Sequence, residues 1–189
     1  MSRPEVGDCC VYTAVKRHSY LFAAFAVGKW TQLTCMEMMR KLSDVTSQSS
    51  WQDTLELFTD GNDDYTCFAM CFPLGLVDYG QLVKIKQNGH LVREERWVVY
   101  GEPVVSEIET MDVENFNGIL RERLGELVRK TECFAKAKRR LVCCIELFMF
   151  YWNFINEFKR GESPGALEGL ADHVWIWHEF LHKTLAIAD

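Results

Sequence analysis

Residues 112–140 read DVENFNGILRERLGELVRKTECFAKAKRR, a stretch that combines early acidic residues, an apolar stripe and a dense run of Arg and Lys. The apolar residues recur at steps of three and four, which predicts an amphipathic helix over residues 112–130. The stripe consists of Val113, Phe116, Leu120, Leu124, Leu127 and Val128. Glu114, Asn117 and Arg121 follow one another on an adjacent face. A metal-binding carboxylate followed by phosphate-binding basic residues is typical of proteins that cut or join nucleic acid.

The charge of the chain is distributed unevenly around its net value of −6. Residues 44–114 include 14 acidic and 4 basic residues, a net of −10, whereas residues 121–140 include 3 acidic and 8 basic residues, a net of +5. An acidic segment that gathers metal ions would then precede a basic segment that follows a nucleic-acid backbone. Two ordinary solvated faces would have the same composition, so charge alone leaves both interpretations open.

Length and composition bound the class of protein. The 189 residues are enough for one domain, or one domain with a helical appendage, and 48% hydrophobic residues can build a core. The longest apolar run, residues 20–28, is too short for a membrane span, and no secretory signal pattern is present. None of the eight cysteines forms a CxxC pair, so we expect small buried thiols in a reducing cytoplasm rather than zinc ligands.

The predicted elements are mixed in the first half of the chain and helical in the second, which indicates an α/β fold with a helical end. The predicted strands are 8–14, 20–27 (apolar on both faces and therefore central), 55–58, and a hairpin of 82–86 and 91–100 across Asn88-Gly89. The predicted helices are 31–42 (buried stripe Leu33, Met36, Met39 and Leu42), 65–72, 112–130, 135–158 and 167–181 (stripe Leu170, Val174, Trp177 and Leu181).

Three features together predict a catalytic site. Asp60 ends a predicted strand, Glu114 lies at the start of a predicted helix, and basic residues follow Glu114. Carboxylates from a sheet edge and a helix that converge on one point bind the catalytic divalent ions of RNase H-like folds. Each residue also has a simpler interpretation, because Asp60-Gly61 could be only a turn and Glu114 could only complement the helix dipole.

The chain resembles the DDE transposases of bacterial and archaeal insertion elements, in particular the short insertion-sequence-one type. These proteins have a strand hairpin followed by a helix, an Asp at a strand end followed soon by Tyr, and a V/I-E-x-x-N helix ending in a basic R-K-T-x-x-F-[AS]-K run. The stretches that carry the resemblance are 8–31 (DCCVYTAVKRHSYLFAAFAVGKWT), 58–65 (FTDGNDDY), 113–136 (VENFNGILRERLGELVRKTECFAK) and 150–156 (FYWNFIN).

The resemblance implies an RNase H-like mixed sheet, incomplete at its N-terminus, over residues 1–130, and a C-terminal helical extension over residues 131–189. It implies metal-dependent DNA strand cleavage and strand transfer in transposition, with Mg²⁺ or Mn²⁺ bound by Asp60 and Glu114 as catalytic residues. From their charge, the polar and basic residues of the same signature are expected to bind DNA: Asn117, Arg121, Arg129, Lys130 and Lys136. Expected partners are element-end and target DNA, and a second copy or a full-length transposase.

The chain departs from the family pattern at the first catalytic Asp. In the family this residue lies in a D-E-x-W strand, and this sequence contains no D-E-x-W. Asp8 is the only candidate, and it lacks the Glu and Trp of the pattern. A missing strand would leave unpaired backbone N–H and C=O groups at the edge of the sheet. The expectation is therefore a transposase that is incomplete or inactive alone; the alternative is a non-catalytic remnant that binds DNA or pairs with a transposase.

A second pattern lies near the C-terminus. His178, Glu179 and His182 form HEFLH, which formally matches the zinc-protease pattern H-E-x-x-H. So short a pattern arises by chance, and the sequence shows no third ligand. We therefore assign no metal-binding role to this pair from the sequence.

Overall fold

The computed structural model of the chain describes residues 9–46, 54–127 and 137–186, with side chains as far as residue 182. The strands are β1 (Cys10–Val15), β2 (Phe22–Gly28), β3 (Leu55–Asp60), β4 (Val77–Gln87) and β5 (His90–Tyr100). The α-helices are α1 (Gln32–Val45), α2 (Met111–Arg123), α3 (Lys138–Phe150), α4 (Pro164–Leu167) and α5 (Trp177–Ala186). Short 3-10 helices span Asp63–Met70, Val105–Glu107 and Gly125–Leu127, and a π-helix over Tyr151–Ile155 continues α3.

The chain divides into two compact units. Unit 1 comprises Met1–Ala14 and Ala23–Asn117, and unit 2 comprises Val15–Phe22 and Gly118–Asp189. Unit 1 therefore contains most of both sheets, whereas unit 2 contains the hairpin turn between β1 and β2 and the C-terminal helices. No helix in the described part of the chain combines the length and apolarity that crossing a bilayer requires.

Unit 1 contains a mixed sheet in the order β3-β4-β5, with β3 parallel to β4 and β4 antiparallel to β5. This confirms the predicted α/β class. The β4–β5 hairpin is also confirmed, since Asn88 and Gly89 both have positive φ, at 52° and 82°, as a two-residue type I′ turn requires. Both strands are longer than predicted, because residues 77–81 of β4 pair with β3 and Gln87 pairs with His90 across the turn.

β1 and β2 form a separate two-stranded antiparallel sheet. β2 reads FAAFAVG and is buried at Phe22 and from Ala24 to Val27. The prediction of burial on both faces was right, but the inference that this strand is central was wrong. Within the described residues β2 pairs only with β1. Burial of both faces by helix packing gives the same apolar sequence pattern as a central position in a larger sheet.

The core of unit 1 lies between these sheets and α1. Its buried residues include Tyr12, Ala24, Ala26, Cys35, Met38, Met39, Leu42, Cys67, Phe68, Phe72, Val77 and Tyr79. The predicted face of α1 was wrong in part, since Leu33 is 74% exposed while Cys35 and Met38 are buried. Residues 35, 38, 39 and 42 form an equally regular apolar stripe, so sequence spacing could not separate the two faces. α1 also continues three residues beyond the predicted end, to Val45.

The cysteines divide between interior and surface. Cys35 and Cys67 are buried, and burial raises the pKa of both thiols. Cys9 and Cys143 are exposed, so the prediction of buried thiols was wrong for these two. Cys133 lies outside the described residues.

Unit 2 is organised around α3 and the π-helix that follows it. The spacing of the predicted helix 135–158 directs five residues inward. Leu141, Ile145, Phe148 and Trp152 are buried, which confirms this helical face, whereas Ile155 is half-buried. Trp152 donates from Nε1 to the carbonyl of Tyr20, at 2.8 Å. Asn153 is 5% exposed, and its amide accepts from the N–H and donates to the carbonyl of Phe22, both at 2.9 Å.

Two predicted helices end earlier or are divided. α2 ends at Arg123, and the chain turns at Gly125–Leu127, so the prediction of one helix to residue 130 was wrong. Gly125 is a poor helix residue and weakens the continuation. The predicted helix 167–181 is interrupted, because α4 ends at Leu167 and Gly169 has a φ of +70°. Leu170, Trp177 and Leu181 are consequently exposed rather than buried.

Candidate functional site

Asp60 is the last residue of β3 and is exposed. The strand reaches Asp60, two residues beyond the predicted end, because residues 55–60 pair in register with residues 77–82 of β4. Its Oδ1 accepts a hydrogen bond from the backbone N–H of Asn62, at 3.2 Å. The residue therefore both ends a strand and begins a turn, so the two sequence interpretations are compatible.

Glu114 lies in the first turn of α2 and is bound by a residue that the sequence did not indicate. Lys84 Nζ on β4 is 2.5 Å from Glu114 Oε1, and Thr110 Oγ1 donates to the same oxygen at 2.7 Å. The Lys84 ammonium, and then the Thr110 hydroxyl, lower the pKa of Glu114 below its ordinary value, although burial opposes this. Glu114 is thus an ionised carboxylate with a fixed orientation.

Asp60 and Lys84 lie on the same face of the mixed sheet. Asp60 pairs with Leu82 in the parallel ladder, and Lys84 is two residues further along β4. Alternate residues of a strand point to the same face, so Asp60, Leu82 and Lys84 share one. The ion pair with Lys84 brings Glu114 to this face as well. The structure therefore associates both predicted acidic residues with one side of one sheet.

The donor set suits a hard divalent cation only in part. Two carboxylates fit Mg²⁺ or Mn²⁺, because Mg²⁺ commonly binds one or two carboxylates and completes its shell with water and substrate phosphate. Among residues 9–46, 54–127 and 137–182, no three His, Cys, Asp or Glu side chains form a group that could hold a metal. Asp8, the candidate first Asp, lies outside the described residues.

Lys84 could have been recognised only through the fold. In the sequence it is one of several charged residues in an alternating strand pattern, VDYGQLVKIKQ. Its significance arises from the register of β3 against β4 and from the ion pair between β4 and the first turn of α2, both of which are long-range features. The acidic and basic clusters identified in the sequence gave no indication of this pair.

The predicted DNA-binding residues are only partly described. Asn117 is half-buried, and its Oδ1 accepts from Thr13 Oγ1 of β1 at 2.8 Å, which gives it a contact within unit 1. Arg121 is exposed on α2. Arg129, Lys130 and Lys136 lie outside the described residues, so their positions remain predictions.

The basic run continues into the start of α3. Lys138, Arg139 and Arg140 are all exposed there, and Ala137 at the N-cap provides no side-chain hydrogen bond. Positive charge at a helix N-terminus opposes the helix dipole, so these residues do not favour the helix. The uncapped N–H groups and the three cations together favour an anion at this position.

A side-chain hydrogen bond connects β1 to the 3-10 helix that follows β3. Each strand belongs to unit 1, yet within the described residues β1 hydrogen-bonds only to β2 in its sheet, and β3 only to β4. Tyr12 of β1 donates to Asp64 Oδ2 at 2.6 Å, and Asp64 lies in the 3-10 helix Asp63–Met70 that follows β3.

Comparisons with known proteins provide no assignment. No family model matches the chain, and neither the curated proteins nor the solved structures include a significant match.

Proposed function

We propose that this chain is a DNA transposase-like protein of the DDE class, with an RNase H-like unit that acts by metal-dependent strand cleavage and strand transfer. The observation that carries the proposal is the Glu114–Lys84 pair, on the sheet face that also bears Asp60. A mixed sheet with an aspartate at a strand end and a glutamate on a helix that contacts the sheet is consistent with what the sequence resemblance implies. The resemblance to insertion-element transposases adds the reaction class and the DNA substrate.

In this proposal the residues of the chain bind and orient the reacting phosphate. Asp60 and Glu114 would hold Mg²⁺ or Mn²⁺, and the bound ion would polarise the phosphate and activate the attacking water or 3′-hydroxyl. Lys84 lowers the pKa of Glu114 and binds its carboxylate before DNA arrives. When DNA binds, the Lys84 ammonium can exchange its contact with Glu114 for a contact with a phosphate oxygen. The Glu114 carboxylate is then free to bind the ion.

DNA binding in the proposal uses the basic residues that follow the catalytic glutamate. Arg121 on α2 and the residues Lys138, Arg139 and Arg140 at the start of α3 are exposed cations. Arg140 also lies 3.8 Å from Glu126, a weak contact that a phosphate could replace. Arg129, Lys130 and Lys136 are proposed to extend this basic surface on the evidence of the sequence alone.

The test is a nicking and strand-transfer assay on labelled DNA with Mg²⁺ or Mn²⁺. Glu114→Gln removes the carboxylate charge, whereas Glu122→Gln makes the same change at an exposed position two turns along α2. We expect the wild type and Glu122→Gln to cleave DNA and Glu114→Gln to be inactive. Full activity in Glu114→Gln would refute the assignment of Glu114 as catalytic.

The alternative is a non-catalytic partner of a transposase. It is favoured by the observation that, among residues 9–46, 54–127 and 137–182, no three His, Cys, Asp or Glu side chains form a group that could hold a metal. Light scattering of the folded protein, alone and mixed with a full-length transposase of the insertion-sequence-one type, tests this alternative. A stoichiometric complex, together with no DNA cleavage by the chain alone, would support it, and a chain that cleaves DNA alone would exclude it.

A further inference from the structure

Two histidines on the exposed side of α5 bring their ring nitrogens together. His178 and His182 lie one helical turn apart, and their Nε2 atoms are separated by 2.9 Å. Both residues are exposed, so solvent and ions can reach them. Neither residue belongs to the candidate catalytic site, which lies in unit 1.

The separation of the two nitrogens matches the bite of a metal chelate. Metal–nitrogen bonds of about 2.0–2.1 Å place two nitrogens about 2.9 Å apart when the angle between the bonds is about 90°. That angle is the one preferred by square-planar, tetragonal and octahedral ions such as Cu²⁺ and Ni²⁺. A tetrahedral Zn²⁺ would need a separation of about 3.3 Å, so the pair must open before it suits zinc.

The helix is anchored directly before the pair. Glu179 Oε2 accepts from the backbone N–H of Ile176 at 2.8 Å, and its Oε1 lies 2.9 Å from His173 Nε2. His173 Nδ1 in turn lies 2.6 Å from Asp172 Oδ1. These contacts fix the first turn of α5 and engage both oxygens of Glu179. Both carboxylate oxygens of Glu179, the glutamate of HEFLH, thus make contacts at the start of α5. Because the zinc-protease pattern uses this glutamate as a general base, these contacts argue against that interpretation of the motif.

We propose that His178 and His182 form a bidentate site for a divalent transition metal of tetragonal or octahedral preference, Cu²⁺ or Ni²⁺. The sequence did not indicate this site because a third ligand was lacking. Two imidazoles are nevertheless sufficient for these ions, since water fills the remaining positions. The metal takes the place of the hydrogen bond now shared by the two Nε2 atoms. The site is independent of the proposed function of unit 1.

Calorimetric titration of the full chain with nickel chloride tests the proposal. We compare the wild type with His178→Gln and His182→Gln, and use His90→Gln, at an exposed histidine on β5, as the matched control. The wild type and His90→Gln should bind one Ni²⁺ with equal affinity. Each variant of the pair should bind at least about tenfold more weakly, because even a supporting partner of a metal ligand commonly contributes that much.

A local measurement separates this site from binding to the thiols. Paramagnetic Ni²⁺ should broaden the ring-proton NMR signals of His178 and His182 at substoichiometric concentration and leave those of His90 sharp. The cysteines are the same in all four proteins, so any thiol binding cancels in the comparison. Equal Ni²⁺ affinity in the wild type and in both variants of the pair, or no binding by the wild type, would overturn the proposal.

Discussion

Replacement of Asn153 by Leu should destabilise unit 2 strongly, although the two side chains have similar volumes. The Asn153 amide is buried and makes two hydrogen bonds of 2.9 Å with the backbone of Phe22, itself fully buried. Leu cannot replace either bond, so one N–H and one C=O lose these partners in the interior. Each such loss costs about 1–3 kcal/mol, which predicts a decrease of about 2–6 kcal/mol in the free energy of unfolding.

Urea unfolding followed by tryptophan fluorescence measures this change, because three of the six tryptophans, Trp152, Trp175 and Trp177, lie in unit 2 and Trp152 neighbours Asn153. Asn156→Leu is the control on the same segment. Asn156 is only half-buried, and its bonds to Tyr151 and Glu157 are longer, at 3.3 and 3.2 Å, so water can replace them. Asn156→Leu should therefore lower the free energy of unfolding by less than about 1 kcal/mol. If both variants lose the same small amount, the reasoning about the Asn153 clamp is wrong.

Two further changes test the face of the mixed sheet. Lys84→Met should raise the pKa of Glu114 towards its ordinary value of 4.5, measurable by carboxyl NMR titration. A carboxylate whose pKa is lowered in the folded state stabilises the folded protein at pH values above its unfolded-state pKa. At neutral pH the wild type should therefore be more stable than Lys84→Met, by less than about 1 kcal/mol. This difference should disappear as the pH falls below the folded-state pKa of Glu114. Gly80→Ala should cost about 1–3 kcal/mol, because the new Cβ would lie 2.6 Å from Ile108 Cδ1 and 2.7 Å from its Cγ1. Ile108→Ala removes both atoms, so the double variant should lose less stability than the sum of the two single losses, and an unchanged Tm in Gly80→Ala would contradict the packing argument.

Local patterns predicted the local parts of this fold well. The hairpin across Asn88-Gly89 was recognisable because a two-residue turn with positive φ at both positions demands such residues. The buried face of α3 was recognisable because Leu141, Ile145 and Phe148 recur at steps of four and three. In both cases the determining interactions lie within a few residues of one another in the sequence.

Predictions failed where two local solutions were equally good or where the partner was distant. α1 has two apolar stripes, and the packing against β2 decided between them. Residues 167–181 have helical spacing, yet α4 ends at Leu167 and Gly169 has a φ of +70°, which divides the segment. The role of Asn153 depends on Phe22, 131 residues away in sequence. An amide within an aromatic run gave no sign of that contact.

The candidate site likewise depends on a residue that is distant in the sequence. Sequence spacing could suggest Asp60 and Glu114, but it could not reveal that a lysine binds one of them. An ammonium bound to Glu114 satisfies in part the charge that a divalent ion would satisfy, so the ion and Lys84 compete for the same carboxylate. This competition should be weakest when a phosphate offers the lysine another anion. If the proposed function is right, metal binding at this site should therefore depend on DNA, and Lys84→Met should bind Mn²⁺ more tightly than the wild type when DNA is absent. Equal Mn²⁺ affinity in the two proteins would mean that Lys84 only stabilises the packing of α2 on the sheet.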